Sequence, residues 1–268
     1  MIEAMKEAAL AAGSYMLNSD EREQTNKTNT KDFVTVADIK SQDIIRDTLR
    51  QKFPDTIILS EEDTEEERRQ LYAPDYTGFV LDPIDGTYNF KRDMKESAIS
   101  IGYVENGESV AGVIYDPYRQ ELYWAKTGSG AYLNDHLIHV SSHSALSDAS
   151  VTTSNSYDAN AMKRNLQRHL AIYEHSGEMP WTACNGSGVL IWVWVASGRT
   201  DAYHHNGLKP WDNAAAFCIA GEAGARIGRL DGTTARFTDA EILVATPGVY
   251  DKLRAIFDDP VFEKKLLR

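Results

Sequence analysis

The stretch from residue 97 to 126, SAISIGYVENGESVAGVIYDPYRQELYWAK, constrains the fold more than any other. It is rich in β-branched and aromatic residues, and Asn106-Gly107 supplies the pair that a tight hairpin turn requires. Consecutive antiparallel strands are the reading. Around them the period changes. Ile2, Met5, Leu10 and Leu17 fall at helical spacing, which predicts an amphipathic helix over 1–18. DEREQTNKTNTKD (20–32) reads as a polar connector, and a short extended piece leads into a helix over about 38–52. Asp38 is its expected N-cap, with Ile45, Leu49 and Phe53 along one side. TIILS (56–60) and YTGFVLD (76–82) are expected strands, separated by the charged, solvated run EEDTEEERRQ. Further on, helices over about 159–174, 187–197, 212–223 and 247–257 alternate with strands near 150, 201, 226 and 243. The tryptophan-rich IWVWVA (191–196) suits a buried helix. No repeat or linker interrupts the pattern. The chain reads as one layered α/β unit over 1–268, with lobes 1–148 and 149–268 meeting near residue 150.

Composition narrows the function. No stretch approaches the ~20 apolar residues that span a bilayer, and the N-terminus lacks the pattern of a secretory signal. Cys184 and Cys218 show no metal spacing and read as reduced, largely buried thiols, so a cytoplasmic location is expected. The net charge is −12, with no basic stripe, which argues against nucleic acid as a partner. An anionic substrate would therefore need local help from metal ions or helix N-termini.

Carboxylates stand where apolar strands end. In FVLDPIDGTYNF (79–90), Asp82 and Asp85 are three apart and would diverge in a regular strand. Pro83 cannot extend a ladder and Gly86 admits unusual backbone angles, so a turn is expected just after Asp82. There both carboxylates and the Ile84 carbonyl can converge on a hard divalent cation. The same residues also suit an ordinary turn. Glu61 and Glu62 follow TIILS, as a second strand-end pair or as the start of a surface run. Asp212, in KPWDNAAAFCIAGEAGA, opens an Ala-rich helix, as an N-cap or as a further ligand beside an anion-attracting helix end.

DFVTVAD (32–38), SEE (60–62), LDPIDGTYNF (81–90), GSG (186–188) and PWDNAAA (210–216) together resemble the inositol monophosphatase-like family of metal-dependent, lithium-sensitive phosphatases. The motifs lie in that family's order and span nearly the whole chain. The resemblance implies a five-layered αβαβα sandwich, usually a homodimer, that binds two or three Mg²⁺ ions, with Mn²⁺ as a substitute. It implies that Glu61, Asp82 and the Ile84 carbonyl serve one ion, and that Asp82, Asp85 and Asp212 serve a second. Glu62 and Asp38 would support a weaker third. Gly86 and Thr87 would meet the substrate phosphate, while Thr87 with Glu61 or Asp38 would orient the attacking water. Lys27 would lie near the metals, and Gly186, Ser187, His205 and Asp212 on the substrate side. The expected activity is hydrolysis of a small phosphorylated metabolite resembling inositol monophosphate, by direct attack of metal-activated water. Cations ~3.5–4 Å apart suit such an in-line displacement.

Departures bear on the substrate. His205 stands where the family carries an acid that accepts hydrogen bonds from sugar hydroxyls, which leaves other esters open. These are another sugar phosphate, fructose 1,6-bisphosphate, 3′-phosphoadenosine 5′-phosphate or NADP; equally, His204 and His205 suit a polar strand end. Lys209 could meet a second phosphate or be solvated. Gly188 and Val189 replace the usual small apolar pair, and Ser60 a glycine. G-x-S-x-G and P-loop patterns are absent. The rival to an enzyme is a cation-dependent binding protein, against which Glu61 and Thr87 count.

Overall fold

The computed structural model describes residues 1–29, 32–175 and 180–258. In chain order the elements are α1 (Ile2–Asn18), β1 (Gln24–Asn29), β2 (Asp32–Thr35), α2 (Val36–Arg50), β3 (Ile58–Ser60), α3 (Glu65–Arg68), β4 (Gly78–Asp85) and α4 (Thr87–Lys91). There follow β5 (Ala98–Glu105), β6 (Glu108–Asp116), β7 (Glu121–Lys126), β8 (Ala131–Leu133), β9 (His136–Ile138) and β10 (Ser150–Ser154). The remainder is α5 (Ala159–His175), β11 (Trp181–Asn185), α6 (Gly188–Ala196), β12 (Ala202–Asn206), α7 (Pro210–Glu222), β13 (Arg226–Gly228), β14 (Glu241–Ala245) and α8 (Pro247–Phe257).

β3 to β9 form a seven-stranded sheet in sequence order, and β11-β10-β12-β14-β13 a five-stranded one. α1 and α2 pack together on one face of the larger sheet, and α7 packs on β4 to β7. α6 joins α7 to the smaller sheet, whose far face carries α5 and α8. The expected layered αβαβα fold is observed. α6 explains its own composition: as a middle layer it touches both sheets, and Val189 to Val193 have no exposed surface. A helix apolar on every side belongs in such a place.

The larger sheet admits α7 closely because Gly102 and Gly112 face each other across β5 and β6. A Cβ on Gly102 would stand 2.7 Å from the Ala214 backbone, and one on Gly112 would collide with Ala215. Small residues on both surfaces thus let the helix settle on the strands.

Several expectations need correction. Residues 24–29 of the supposed connector are β1, which pairs antiparallel with β2. α2 begins at Val36, with Thr35 as N-cap; Asp38 is the third helical residue of a capping box and accepts from the Thr35 N–H at 2.8 Å. α7 likewise begins at Pro210, with Lys209 as N-cap. Cys184 is exposed rather than buried, because β11 is an edge strand. The chain does not leave the sheet after Asp82. Asp82 pairs with Ser100 and Asp85 with Ala98, so three steps on β4 match two on β5. This one-residue bulge resets the alternation and lets Asp82 and Asp85 share a face.

Candidate active site

Separate segments deliver carboxylates to one cleft. Glu61 and Glu62 follow β3, Asp82 and Asp85 flank the β4 bulge, and Asp212 opens α7. All five line the cleft, together with Lys27, Ile84, Gly86, Thr87, Gly186 and His205. One carboxylate oxygen from each of Asp82, Asp85 and Asp212 lies within 4.8 Å of the others. The bulge is itself held: buried Ser41 donates to the Pro83 carbonyl at 2.8 Å, and the Ile84 N–H to Asp82 Oδ1 at 3.1 Å. Asp212 accepts from the Lys209 N–H at 2.7 Å. The Val189 N–H, 3.1 Å away, and the Ser187 hydroxyl both donate to Asp85 Oδ2.

Burial sets the electrostatics. It raises the pKa of Asp82 and Asp212 well above the usual carboxylate range, and the neighbouring acids add to the effect. Asp85 is pushed up to about 6 by burial, against the hydrogen bonds from Ser187 and Val189. None of the three carboxylates forms an ion pair with a described residue. Lys27 answers only the flanking glutamates, with Nζ 2.8 Å from both Glu61 and Glu62. Burial works against its charge, but the two acids outweigh burial and raise its pKa. Glu62 is pushed up to about 8 by burial and by Glu61. A compact, oxygen-only set, with Asp82 buried and Asp85 and Asp212 partly so, is what a hard divalent cation requires, so these residues fit the metal that the resemblance implied.

Thr87 connects this cluster to Asp38. Its hydroxyl lies 3.1 Å from both Asp38 Oδ1 and the Ile84 carbonyl. Asp38 is 1% exposed, and burial raises its pKa to about 6 despite hydrogen bonds from Thr35. Gly86 caps α4 with φ +82°, and a Cβ there would stand 2.8 Å from the Glu96 carbonyl. Gly186 packs against Asn89, which donates to that same carbonyl at 2.8 Å. Ser187 is buried on Asp85 and caps α6, whereas Gly186 reaches the cleft. His205 is 3% exposed, on β12, and burial pushes its pKa down to about 4.

Sequence reasoning missed Asn89, Tyr157 and Arg164, which also line the cleft. Asn89 was within reach, inside the quoted TYNF. Tyr157 and Arg164 lie at and on an amphipathic helix, whose periodicity does not distinguish a cleft from solvent.

A layered α/β fold with buried acids at strand ends and a helix start, beside a hydroxyl–carboxylate pair, defines a class: metal-dependent phosphatases. The chain belongs to the inositol monophosphatase family, whose model matches residues 1–258. It is 32% identical over 255 residues to an inositol-1-monophosphatase of Synechocystis, covering 94% of this chain and 86% of that one. It is 31% identical over 256 residues to the Nus factor SuhB of Pasteurella multocida, covering 92% and 91%. Among solved structures, the extragenic suppressor protein suhB of Bartonella henselae superposes with a TM-score of 0.86 at 28% identity, over 97% of this chain and 98% of that one.

Proposed function

We propose that this protein is a Mg²⁺-dependent phosphatase that hydrolyses a small phosphate monoester by direct attack of water. The convergence of Asp82, Asp85 and Asp212 within 4.8 Å carries the reading. Glu61, Asp82 and the Ile84 carbonyl would hold one ion; Asp82, Asp85 and Asp212 a second; Glu62 and Asp38 support a weaker third. When bound, Mg²⁺ (or Mn²⁺) would offset the charge of the phosphate and make water more acidic.

The chain's own groups supply orientation. Thr87 Oγ1 can accept a proton from the attacking water while donating its own toward Asp38, and Glu61, fixed by Lys27, borders the same water. As the water oxygen bonds to phosphorus, the opposite ester P–O bond breaks; the departing oxygen takes a proton from bulk water to leave as the alcohol, and Asp38 returns its proton to solvent. The Gly86 and Thr87 N–H groups meet the phosphate oxygens. Asp212, Gly186 and His205 border the alcohol portion, and Ser187 positions Asp85. Of the site's expected substrates, esters of the inositol monophosphate kind suit the family. The net charge of −12 supports a small metabolite rather than nucleic acid as partner.

We further infer a cytoplasmic homodimer. Two unpaired cysteines suit a reducing compartment. Leu166, Leu170 and Tyr173 on α5, Trp181 on β11 and Tyr157 just before α5 expose an apolar face, of the kind that a second copy would cover.

The test is phosphate release against Mg²⁺ concentration, with inositol 1-phosphate, fructose 1,6-bisphosphate, 3′-phosphoadenosine 5′-phosphate and NADP. Turnover that requires Mg²⁺ and is lost in folded Asp85→Asn is expected. Full Mg²⁺-dependent activity in that variant sinks the mechanism. Mg²⁺ binding with no phosphate release favours the binding-protein reading.

A further inference from the structure

The turn that carries Glu61 and Glu62 is tied down on three sides. From α2, Arg46 reaches Asp63, with Nη2 2.7 and 2.6 Å from its two carboxylate oxygens. Asp63 Oδ2 also accepts from the Ser60 N–H at 2.8 Å, which closes the turn on itself. On the strand side, the Glu61 N–H donates to the Leu81 carbonyl at 3.0 Å, one residue before Asp82. The third tie is Arg68, whose Nη1 donates to the Glu61 carbonyl.

Arg68 reaches that carbonyl because of how α3 begins. Thr64 and Glu67 form a capping box, in which Glu67 accepts from the Thr64 N–H at 2.9 Å. Arg69 pairs with Glu65 at the exposed surface, 2.9 Å away. Arg68, the last residue of this single turn, lines the cleft beside Trp211. Its guanidinium carbon stands 5.0 Å from the centre of the Trp211 ring. Trp211 is the second residue of α7, directly before Asp212, and is buried in a cluster with Leu59, Leu71, Val80 and Phe237. A guanidinium over an indole is attracted by the negative face of the ring. A hydrogen bond from a charged donor is stronger than one between neutral groups. Both backbone groups of Glu61 are thus engaged, one on the strand of Asp82 and one, through Arg68, on the helix of Asp212.

We propose that Arg68 is a positioning residue that ties the Glu61 turn to the first turn of α7, and so sets the separation of the Glu61 and Asp212 carboxylates. The inference rests on the metal-dependent phosphatase reading and adds to it a residue that itself holds no ion. Glu61, Asp82, Asp85 and Asp212 repel one another before a cation arrives. Without the tie, the turn and the helix start relieve that repulsion by moving apart, and ion binding must draw them together again. Arg68 keeps them in the binding arrangement beforehand.

Mg²⁺ titration calorimetry on the wild type and Arg68 variants tests this, with phosphate release measured beside it. Arg68→Met is expected to raise the Mg²⁺ Kd by about tenfold, the scale on which partners of metal ligands act. Arg68→Lys should recover part of the loss, because an ammonium can still donate to the carbonyl and sit over the indole. In Arg68→Met the Mg²⁺ concentration for half-maximal turnover should rise with the Kd, while substrate KM at saturating Mg²⁺ stays within a few-fold. A merely structural arginine would lower the midpoint of unfolding and leave the Kd alone. Arg68→Gln, too short to reach both the carbonyl and the ring, takes the place of Arg68→Met if that variant does not fold. An unchanged Kd in the folded variant overturns the tie, whatever the turnover. If Mg²⁺ binds and no ester is hydrolysed, the phosphatase reading falls, and the Kd ratio still decides the role of Arg68. A wild type that binds no Mg²⁺ overturns both.

Discussion

Thr87 Oγ1 touches two different parts of the site, because Asp38 Oδ1 and the Ile84 carbonyl both lie 3.1 Å away. It joins the first turn of α2 to the bulge of β4. If it orients the water, Thr87→Ala lowers kcat by roughly 10²-fold or more, the scale of a positioned acid–base group. KM should change by only a few-fold, and Thr87→Ser should keep most of the rate. Equal kcat in Thr87→Ala contradicts the role. At this scale much of the site was legible, since two aspartates around a proline at a strand end already raise the question of a cation. The bulge that aligns them was not, because it depends on the register against β5, a long-range pairing. Ser187 shows the converse. Its motif was visible, but only the packing of α6 against Asp85 reveals that its hydroxyl is used on a carboxylate.

At the element scale, α7 carries Asp212 only because Gly102 and Gly112 let the helix lie against β5 and β6. Gly112→Ala would push a methyl into the Ala215 backbone and lift the helix start. We expect a stability loss of about 1–3 kcal/mol, as in an overpacked core, together with weaker Mg²⁺ binding. Calorimetric unfolding and Mg²⁺ titration check both; unchanged Mg²⁺ affinity would detach helix seating from the site. Elements were legible where their pattern was long. β5 to β7 and helices α5 to α8 fell close to their expected bounds. β1, β8, β9 and β11 escaped notice because they are short, polar or at sheet edges, and pairing rather than side-chain alternation holds them there. Asp38 was misplaced at a cap by similar logic. Acidic residues suit both the N-cap and the third position of a capping box, and only the Thr35 contacts distinguish the two.

At the scale of the whole molecule, the order of five separated motifs already implied the layered fold, and the comparisons place the chain in the family. What the sequence concealed was exposure. Trp181 is 76% exposed on edge strand β11, and Leu170 is 56% exposed on α5. If this face joins two copies, sedimentation should give twice the chain mass of 29.9 kDa, and Leu170→Glu with Trp181→Ser should shift it to the monomer. A wild-type monomer at micromolar concentration overturns the dimer.

The buried acids connect the whole fold to its cation. Without metal, Asp85 has a pKa of about 6 and Asp82 and Asp212 lie well above their ordinary value. Acids raised on folding stabilise fully below the unfolded value, near 3.8, and lose that contribution as pH rises through the folded value. Mg²⁺ should therefore stabilise most above about pH 6, and its binding must expel the protons that the cluster retains. The most direct measurement is Mg²⁺ titration calorimetry at pH 6 in buffers of different ionisation enthalpy, which counts protons released per ion. We predict net release that diminishes toward alkaline pH and disappears with the binding heat in Asp82→Asn with Asp212→Asn. Binding without proton release, or an undiminished heat in that double variant, would contradict a cation held by these carboxylates.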